Sequence, residues 1–307
     1  MKKILVIREG ALGDLILTFP VFSSLKRSGF FVGVAGNRNY KKFIEKYAQI
    51  DIFIPVNSSE FLPLFSPSLS EKFEIEKKLS DFDIILCYSE KKKPFSENLE
   101  KTCREKVIWH PVKNEDLKIH ITDYLLLPVK TLCTQISKIP KIKIKRKMPQ
   151  YITIHPGSGS KKKNWEKENY AELIEKIGKE KVKVLLGPAE ETDIEFWKNF
   201  IPENLIVNPD FDEIIKIAER TKIYIGNDSG ITHLFAATGI PVIAIFGPTS
   251  PDVWGPRGEN VKIIYKKTDC SPCNREKREK CVKIECLRKI KIEDVLKKME
   301  EINGEIC

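Results

Sequence analysis

No apolar run in this 307-residue sequence is both long and uninterrupted enough to cross a bilayer as a helix. The longest uncharged stretch, Ser229 to Pro251, is broken by Gly230, Gly239, Pro241, Gly247 and Pro248. It reads as a buried helix followed by a buried strand. A secretion signal is missing as well: after Met1, Lys2 and Lys3 the apolar run Ile4 to Ile7 stops at Arg8 and Glu9, short of the roughly 7–15 residues a signal core needs. These absences predict a soluble, cytoplasmic protein. Cysteine is too sparse for a disulfide scaffold, at 8 in 307 residues. Methionine is scarcer, at 3, beside frequent Lys, Glu and Ile, a balance seen in many proteins from hot environments.

The composition is otherwise that of a globular chain, 41% hydrophobic, 9% aromatic and 31% charged, which supports sizeable cores and excludes a disordered or collagen-like chain. The length favours two domains. Basic residues outnumber acidic ones 53 to 43, a net charge of +10, which favours polyanionic partners and says nothing about fold.

Short apolar runs alternate with amphipathic ones, a rhythm that predicts βαβ units around parallel sheets. Strands are expected at Lys3–Ile7, Phe31–Ala35, Ile52–Val56, Ile84–Tyr88 and Val107–Trp109, with helices around Leu15–Lys26, Arg38–Tyr47 and Leu69–Leu79. Pro20 either kinks the first helix or lies in its first turn, with the helix beginning near Thr18. Lys138 to Gln150, basic and with two prolines, reads as an interdomain connection or an edge strand. The rhythm then restarts with strands Tyr151–His155, Val182–Leu186, Lys222–Ile225 and Pro241–Phe246. Helices are expected between them at Trp165–Ile177, Ala189–Phe200, Phe211–Arg220 and Ile231–Thr238, and a charged helix, Ile292–Ile302, ends the chain. This places an N-terminal Rossmann-like domain at 1–147 and a C-terminal one at 148–307.

Three turns at expected strand ends carry candidate chemistry. Glu9 to Asp14 follows the first strand; Gly10 and Gly13 let backbone approach a ligand, and Asp14 stands at a helix N-terminus, as a functional carboxylate or only a cap. The third glycine of a dinucleotide fingerprint is absent. His155 to Trp165 brings glycines, Ser158, Ser160 and the lysines 161–163 to the next domain's first strand end. That composition suits a phosphate cradle or a solvated basic loop, and it is not a Walker A sequence. Gly226 to His233 joins a strand to a helix, where Asp228 can accept from sugar hydroxyls and Ser229 and Gly230 can offer backbone N–H groups. Asn227 and Asp228 as caps and His233 as a core histidine are the plain alternatives. Cys270-x2-Cys273-x7-Cys281-x4-Cys286 is compatible with structural zinc, with two disulfides and with free thiols. Two Asp-x-Asp pairs occur, but Asp81 and Asp83 precede a strand and Asp210 and Asp212 open a helix, where capping suffices.

The stretches ILVIREGALGDLILTFPVFSSLK, ITIHPGSGSKKKNWEKENYAELIEKI, VLLGPAEE and YIGNDSGITHLFAATGIPVIAIFGPTSPDVWGPRG, with the tail CSPCNREKREKCVKIECLRKI, resemble glycosyltransferase family 9, the ADP-heptose:lipopolysaccharide heptosyltransferases. They run from residue 4 to 290 in the family's order, whereas 50–147 matches nothing recognisable. The resemblance implies an α/β, GT-B fold: two Rossmann-like domains facing each other across a cleft, often with the last helix packing back on the first domain. It implies transfer of heptose, with inversion, from ADP-L-glycero-β-D-manno-heptose to the lipopolysaccharide inner core. Asp14 matches the general base and Lys163 the lysine that holds the diphosphate, with Ser158 and Ser160 near its hydroxyl partners. Glu190 lies near the ribose-binding carboxylate; Asp228, Ser229, Gly230 and His233 match the loop that grips heptose and diphosphate.

No cofactor is expected to be obligatory, with a divalent metal at most stimulatory. The expected partners are the ADP-heptose donor, an anionic acceptor of the Kdo-lipid A type and, peripherally, the cytoplasmic face of the inner membrane, with no nucleic acid. Two other readings keep the fold: a family member using a different nucleotide-sugar, and a nucleotide-sugar 2-epimerase. A nucleic-acid binder would use the same lysines without needing Asp14, and the interleaved aromatic and basic residues expected for it are missing.

Overall fold

The computed structural model describes residues 1–66, 72–112 and 118–306. The chain divides into two compact units, Met1–Leu117 with Ile121–Pro140 and Lys118–His120 with Lys141–Cys307. Each is an α/β layer structure around one parallel sheet.

The first unit holds β1 (Lys3–Ile7), β2 (Phe31–Gly36), β3 (Ile52–Pro55), β4 (Ile84–Cys87) and β5 (Val107–Trp109), in the order β3-β2-β1-β4-β5. All neighbours pair in parallel. β1 is central, and Ile4, Leu5 and Val6 are wholly buried, as the unbroken apolar run of a strand covered on both faces requires. Of the two arrangements open at Pro20, the chain takes the second. A short helix, Leu12–Ile16, ends, and a new one, Phe19–Arg27, begins after Thr18 with Pro20 in its first turn. A proline there costs no hydrogen bond, because first-turn N–H groups have no intrahelical partner. The helix expected from Leu69 is observed as Lys72–Ser80, and the start of that expected span lies outside the described residues. Two helices between residues 50 and 147, Phe95–Cys103 and Ile121–Leu126, complete the layer.

The second unit holds β6 (Tyr151–His155), β7 (Val182–Leu186), β8 (Leu205–Val207), β9 (Thr221–Asn227), β10 (Val242–Phe246) and β11 (Val261–Tyr265), ordered β11-β10-β9-β6-β7-β8 and all parallel. β8 and β11 are the edges, and neither stands out in the sequence, because half-exposed edge strands lack the continuous apolar run of the centre. Residues 141–150 form no strand but belong to the second unit. Ile142 N–H donates to Ala237 O at 2.8 Å, Lys147 N–H to Glu219 O at 2.9 Å and Gln150 N–H to Arg220 O at 2.8 Å, so the change of unit falls at Pro140 rather than Lys147. The last helix, Ile292–Ile306, puts Ile292, Val295, Met299 and Ile302 into the second unit's own core.

Ile154 lies fully buried in β6. Ile154→Ala is expected to lower the second unit's unfolding free energy by about 2–5 kcal/mol in urea denaturation. A loss below about 1 kcal/mol would contradict this packing.

Candidate functional site

Each sheet has one place where chain order reverses, and an open parallel sheet presents a crevice there at the strands' carboxyl ends. In the second unit the reversal falls between β6 and β9; in the first it falls between β1 and β4. The expected site residues follow β6, β7 and β9 in one unit and β1 in the other.

In the second unit, Asn227 ends β9 with its side chain wholly buried. Its Nδ2 donates to Pro156 O at 2.7 Å, and its Oδ1 accepts from Trp165 N–H and from the Tyr170 hydroxyl, each at 3.0 Å. Asn227 therefore ties both ends of the loop after β6 to the end of β9 and caps nothing. The cap of the following helix, Gly230–Ala237, is Ser229, whose hydroxyl accepts from Thr232 N–H at 3.2 Å. His233 lies buried one turn into that helix.

The three lysines of the loop have separate fates. Lys161 Nζ donates to Thr192 Oγ1 at 3.2 Å, and Lys162 donates to the Cys281 carbonyl. Lys163 crosses the reversal point to Asp228 Oδ2 at 3.1 Å, with side-chain exposures of 21% and 8%. The same oxygen accepts from Thr249 Oγ1 at 2.7 Å, and Asp228 N–H donates to Ile245 O at 3.1 Å. Ser158 is occupied within its loop, hydrogen-bonded to Asn164 Oδ1 at 2.6 Å and Ser160 O at 2.9 Å, so it shapes the turn rather than offering a free hydroxyl. Ser160 begins the turn over the lysines and makes no side-chain cap bond there.

Glu190 follows β7 and is 4% exposed. Its Oε2 accepts from Gly187 N–H at 2.7 Å and faces His155 Nε2 at 3.5 Å, while Oε1 is buried with no hydrogen-bond partner among the described residues. A Cβ on Gly157 would collide with this carboxylate, so glycine there lets the loop backbone lie against it. A buried carboxylate oxygen without a donor is costly by itself and suits a ligand hydroxyl. The loop whose Gly157 lies against Glu190 also carries Lys163, held by buried Asp228 just before a helix N-terminus, groups that suit an anion. Together they match a ligand with hydroxyls at one end and an oxyanion at the other.

In the first unit, Asp14 lies in the short helix after β1. Its Oδ1 accepts from Arg8 Nη2 and its Oδ2 from Ala11 N–H, both at 3.1 Å, and the side chain is 33% exposed. Gly10 has a φ of +152°, favoured by glycine, and a Cβ there would lie 2.9 Å from Asp14 Cβ. Gly13 is helical, its carbonyl accepting from Leu17 N–H at 3.0 Å. Burial lowers the Arg8 pKa and neighbouring Asp14 partly opposes that; burial likewise raises the phenols of Tyr40 and Tyr88.

The four clustered cysteines are free thiols, so neither disulfide allowed by the spacing is formed. No group of three or more His, Cys, Asp or Glu able to hold a metal occurs among the described residues. Burial raises Cys286 to about 11 and also raises Cys273, which neighbouring Cys270 and Cys281 push further. Asp83 accepts from Lys3 N–H at 2.7 Å, and Asp210 caps the helix Phe211–Ala218 through Glu213 N–H at 2.8 Å.

Sequence reasoning misses Arg8, Thr249 and the tethering role of Asn227. Arg8 leaves a faint signal, a lone basic residue directly after an apolar strand. Thr249 sits just past β10, a fourth strand end overlooked among the turns. Asn227→Ala strips partners from three buried groups and is expected to cost about 2–4 kcal/mol of second-unit stability in urea denaturation. An unchanged midpoint would show that the tether carries no weight.

A family model for glycosyltransferase family 9 (heptosyltransferase) matches residues 122–283. Lipopolysaccharide heptosyltransferase 1 of Campylobacter coli is 33% identical over 166 residues, covering 50% of this chain and 47% of that protein. Lipopolysaccharide heptosyltransferase 2 of Escherichia coli K12 is 29% identical over 115 residues, covering 33% and 32%. The chain thus spans half or less of the length of these curated relatives. Over whole chains, the fold is similar to a family 9 glycosyltransferase from Veillonella parvula, at TM-score 0.75, 19% identity and 99% and 98% coverage. It is also similar to Escherichia coli ADP-heptose lipopolysaccharide heptosyltransferase II, at TM-score 0.72, 17% identity and full coverage of both chains. Escherichia coli heptosyltransferase WaaC, solved with ADP, gives TM-score 0.68 at 17% identity, covering 98% and 99%. With a family model that covers more than half of its length and a fold that matches these structures end to end, the chain belongs to glycosyltransferase family 9.

Proposed function

We propose that the protein transfers heptose, with inversion, from ADP-heptose to an anionic lipopolysaccharide inner-core acceptor of the Kdo-lipid A type, working at the cytoplasmic face of the inner membrane. The observation that carries the reading is the loop after β6, which lays Gly157 against the buried Glu190 carboxylate and sends Lys163 across the β6–β9 reversal to Asp228. Family membership supports the reaction class, and the names of the relatives support the donor. The basic surplus of +10 suits an acceptor bearing phosphates and acidic sugars.

In this reading Glu190 accepts hydrogen bonds from the ribose hydroxyls. Lys163 exchanges Asp228 for the diphosphate, which releases Asp228, still held by Thr249, to accept from hydroxyls of the heptose. Asp14 removes the proton of the acceptor hydroxyl as its oxygen bonds to the anomeric carbon. The bond from that carbon to ADP breaks on the opposite face, which inverts the centre, and the charge on the departing ADP meets Lys163. A carboxylate is a weak base, so the proton moves late, once the new bond has made the hydroxyl acidic.

Acceptor-dependent ADP release from ADP-heptose tests the reaction. Asp14→Ala is expected to lower that release about 10²–10⁴-fold while ADP affinity stays within about two-fold. Normal turnover would remove Asp14 as the base, and heptose isomerised without acceptor would favour an epimerase. Lys163→Ala is expected to weaken ADP binding by about 10–100-fold in calorimetry, the cost of losing a charged hydrogen bond. Unchanged affinity would take Lys163 out of the diphosphate site.

A further inference from the structure

The first unit buries a charge that its own stability does not call for. Arg8 directly follows β1, its backbone N–H donating to Ala35 O at 2.9 Å, and the residue is 7% exposed. Its Nε is buried without a hydrogen-bond partner among the described residues. A guanidinium taken from water with a donor unmet is expensive, and an apolar residue of similar size in that place would commonly be as stable or more so. Among the described residues the guanidinium's ion pair is with Asp14, whose side chain is part-exposed.

The rest of the loop closes on the same carboxylate. Oδ1 takes Arg8 Nη2 and Oδ2 takes Ala11 N–H, each at 3.1 Å, so the two oxygens are fixed by different donors. The Thr18 hydroxyl donates to Asp14 O at 2.8 Å and anchors its backbone from the next helix. The positive φ of Gly10 brings the chain against Asp14 where any side chain would strike it. Tyr88, which also faces Arg8 from the end of β4, is engaged through its hydroxyl with Leu125 O, so it presents no charge to the guanidinium.

We propose that Arg8 is a positioning residue for Asp14: it fixes the direction in which the carboxylate is presented, so that the remaining lone pairs point outward toward an incoming hydroxyl. This rests on the reading of Asp14 as the base. Misplacement of a reacting group by about 1 Å can cost about 10²-fold in rate, so a tethered carboxylate is worth an unsatisfied buried donor.

The test is a double-mutant cycle in the full chain with Arg8→Met, which keeps the stem and removes the charge, and Asp14→Asn. Arg8→Met is expected to lower kcat about 10–100-fold with donor KM within about two-fold, and Arg8→Lys to recover part of the loss. In the Asp14→Asn background Arg8→Met should cost less than about two-fold more. Independent, multiplying losses, or a fall carried by donor KM, would overturn the proposal. If Arg8→Met does not fold, Arg8→Lys carries the kinetic arm, with reduced kcat at unchanged KM expected and unchanged kcat overturning it. Wild type that releases no ADP from ADP-heptose with Kdo-lipid A would defeat the transferase reading. The cycle is then read in urea midpoints, where coupled shifts support the tether and additive shifts overturn it whatever the reaction.

Discussion

The arrangement of the second unit's site depends on one buried amide. Asn227 has its oxygen and nitrogen committed to Trp165 N–H, the Tyr170 hydroxyl and the Pro156 carbonyl, with no contact to water. A fully satisfied polar group in a low-dielectric interior is directional and rigid, whereas apolar packing alone tolerates sliding. Pro156 opens the glycine and lysine loop and Trp165 closes it, so its span is set from the end of the neighbouring strand. Asp228 is the next residue after Asn227 and Lys163 lies two before Trp165. The separation of the two charged groups is therefore a consequence of the same three hydrogen bonds.

That tether acts on a topology which already collects the right segments. Parallel strands put all their carboxyl ends on one edge, and reversal of strand order opens that edge beside the central strand. Both units use the same device with different contents. In the second, the residues after β6, β7 and β9 offer a cation, a buried carboxylate oxygen and a helix N-terminus, groups suited to hold a ligand. In the first, the residues after β1 offer Asp14, a part-exposed carboxylate backed by a buried cation, a group suited to take a proton. Under the proposed function, binding would fall to the second unit and proton removal to the first, each at the place where its sheet order reverses.

The central strands and both reversal-point loops are legible in the sequence, because strands buried on both faces read as continuous apolar runs and glycine-rich turns mark where they end. Edges are less so: β8 and β11 are half-exposed and show no such run. Asp14, Lys163 and Asp228 can be named from motif and position, yet the sequence treats the lysines 161–163 alike, and only packing assigns one to Thr192, one to a carbonyl and one to Asp228. Long-range partners are the general blind spot. Nothing local says that Arg8 folds back to Asp14, that Thr249 reaches Asp228, or that the Ile and Lys alternation after Pro140 pairs backbone with the second unit rather than forming a strand. Ser158 shows the converse, since its composition suits a ligand donor but its hydroxyl is taken up inside the turn.

The central claim is that the β6–β9 reversal point is the nucleotide site and that Lys163 is stored there on Asp228. A crystal structure of the protein with ADP tests it most directly. The ribose hydroxyls are expected on Glu190 Oε1, with Lys163 Nζ moved from Asp228 to the diphosphate and Thr249 still on Asp228. ADP bound elsewhere, or bound there with the Lys163–Asp228 pair intact and Glu190 untouched, would contradict it.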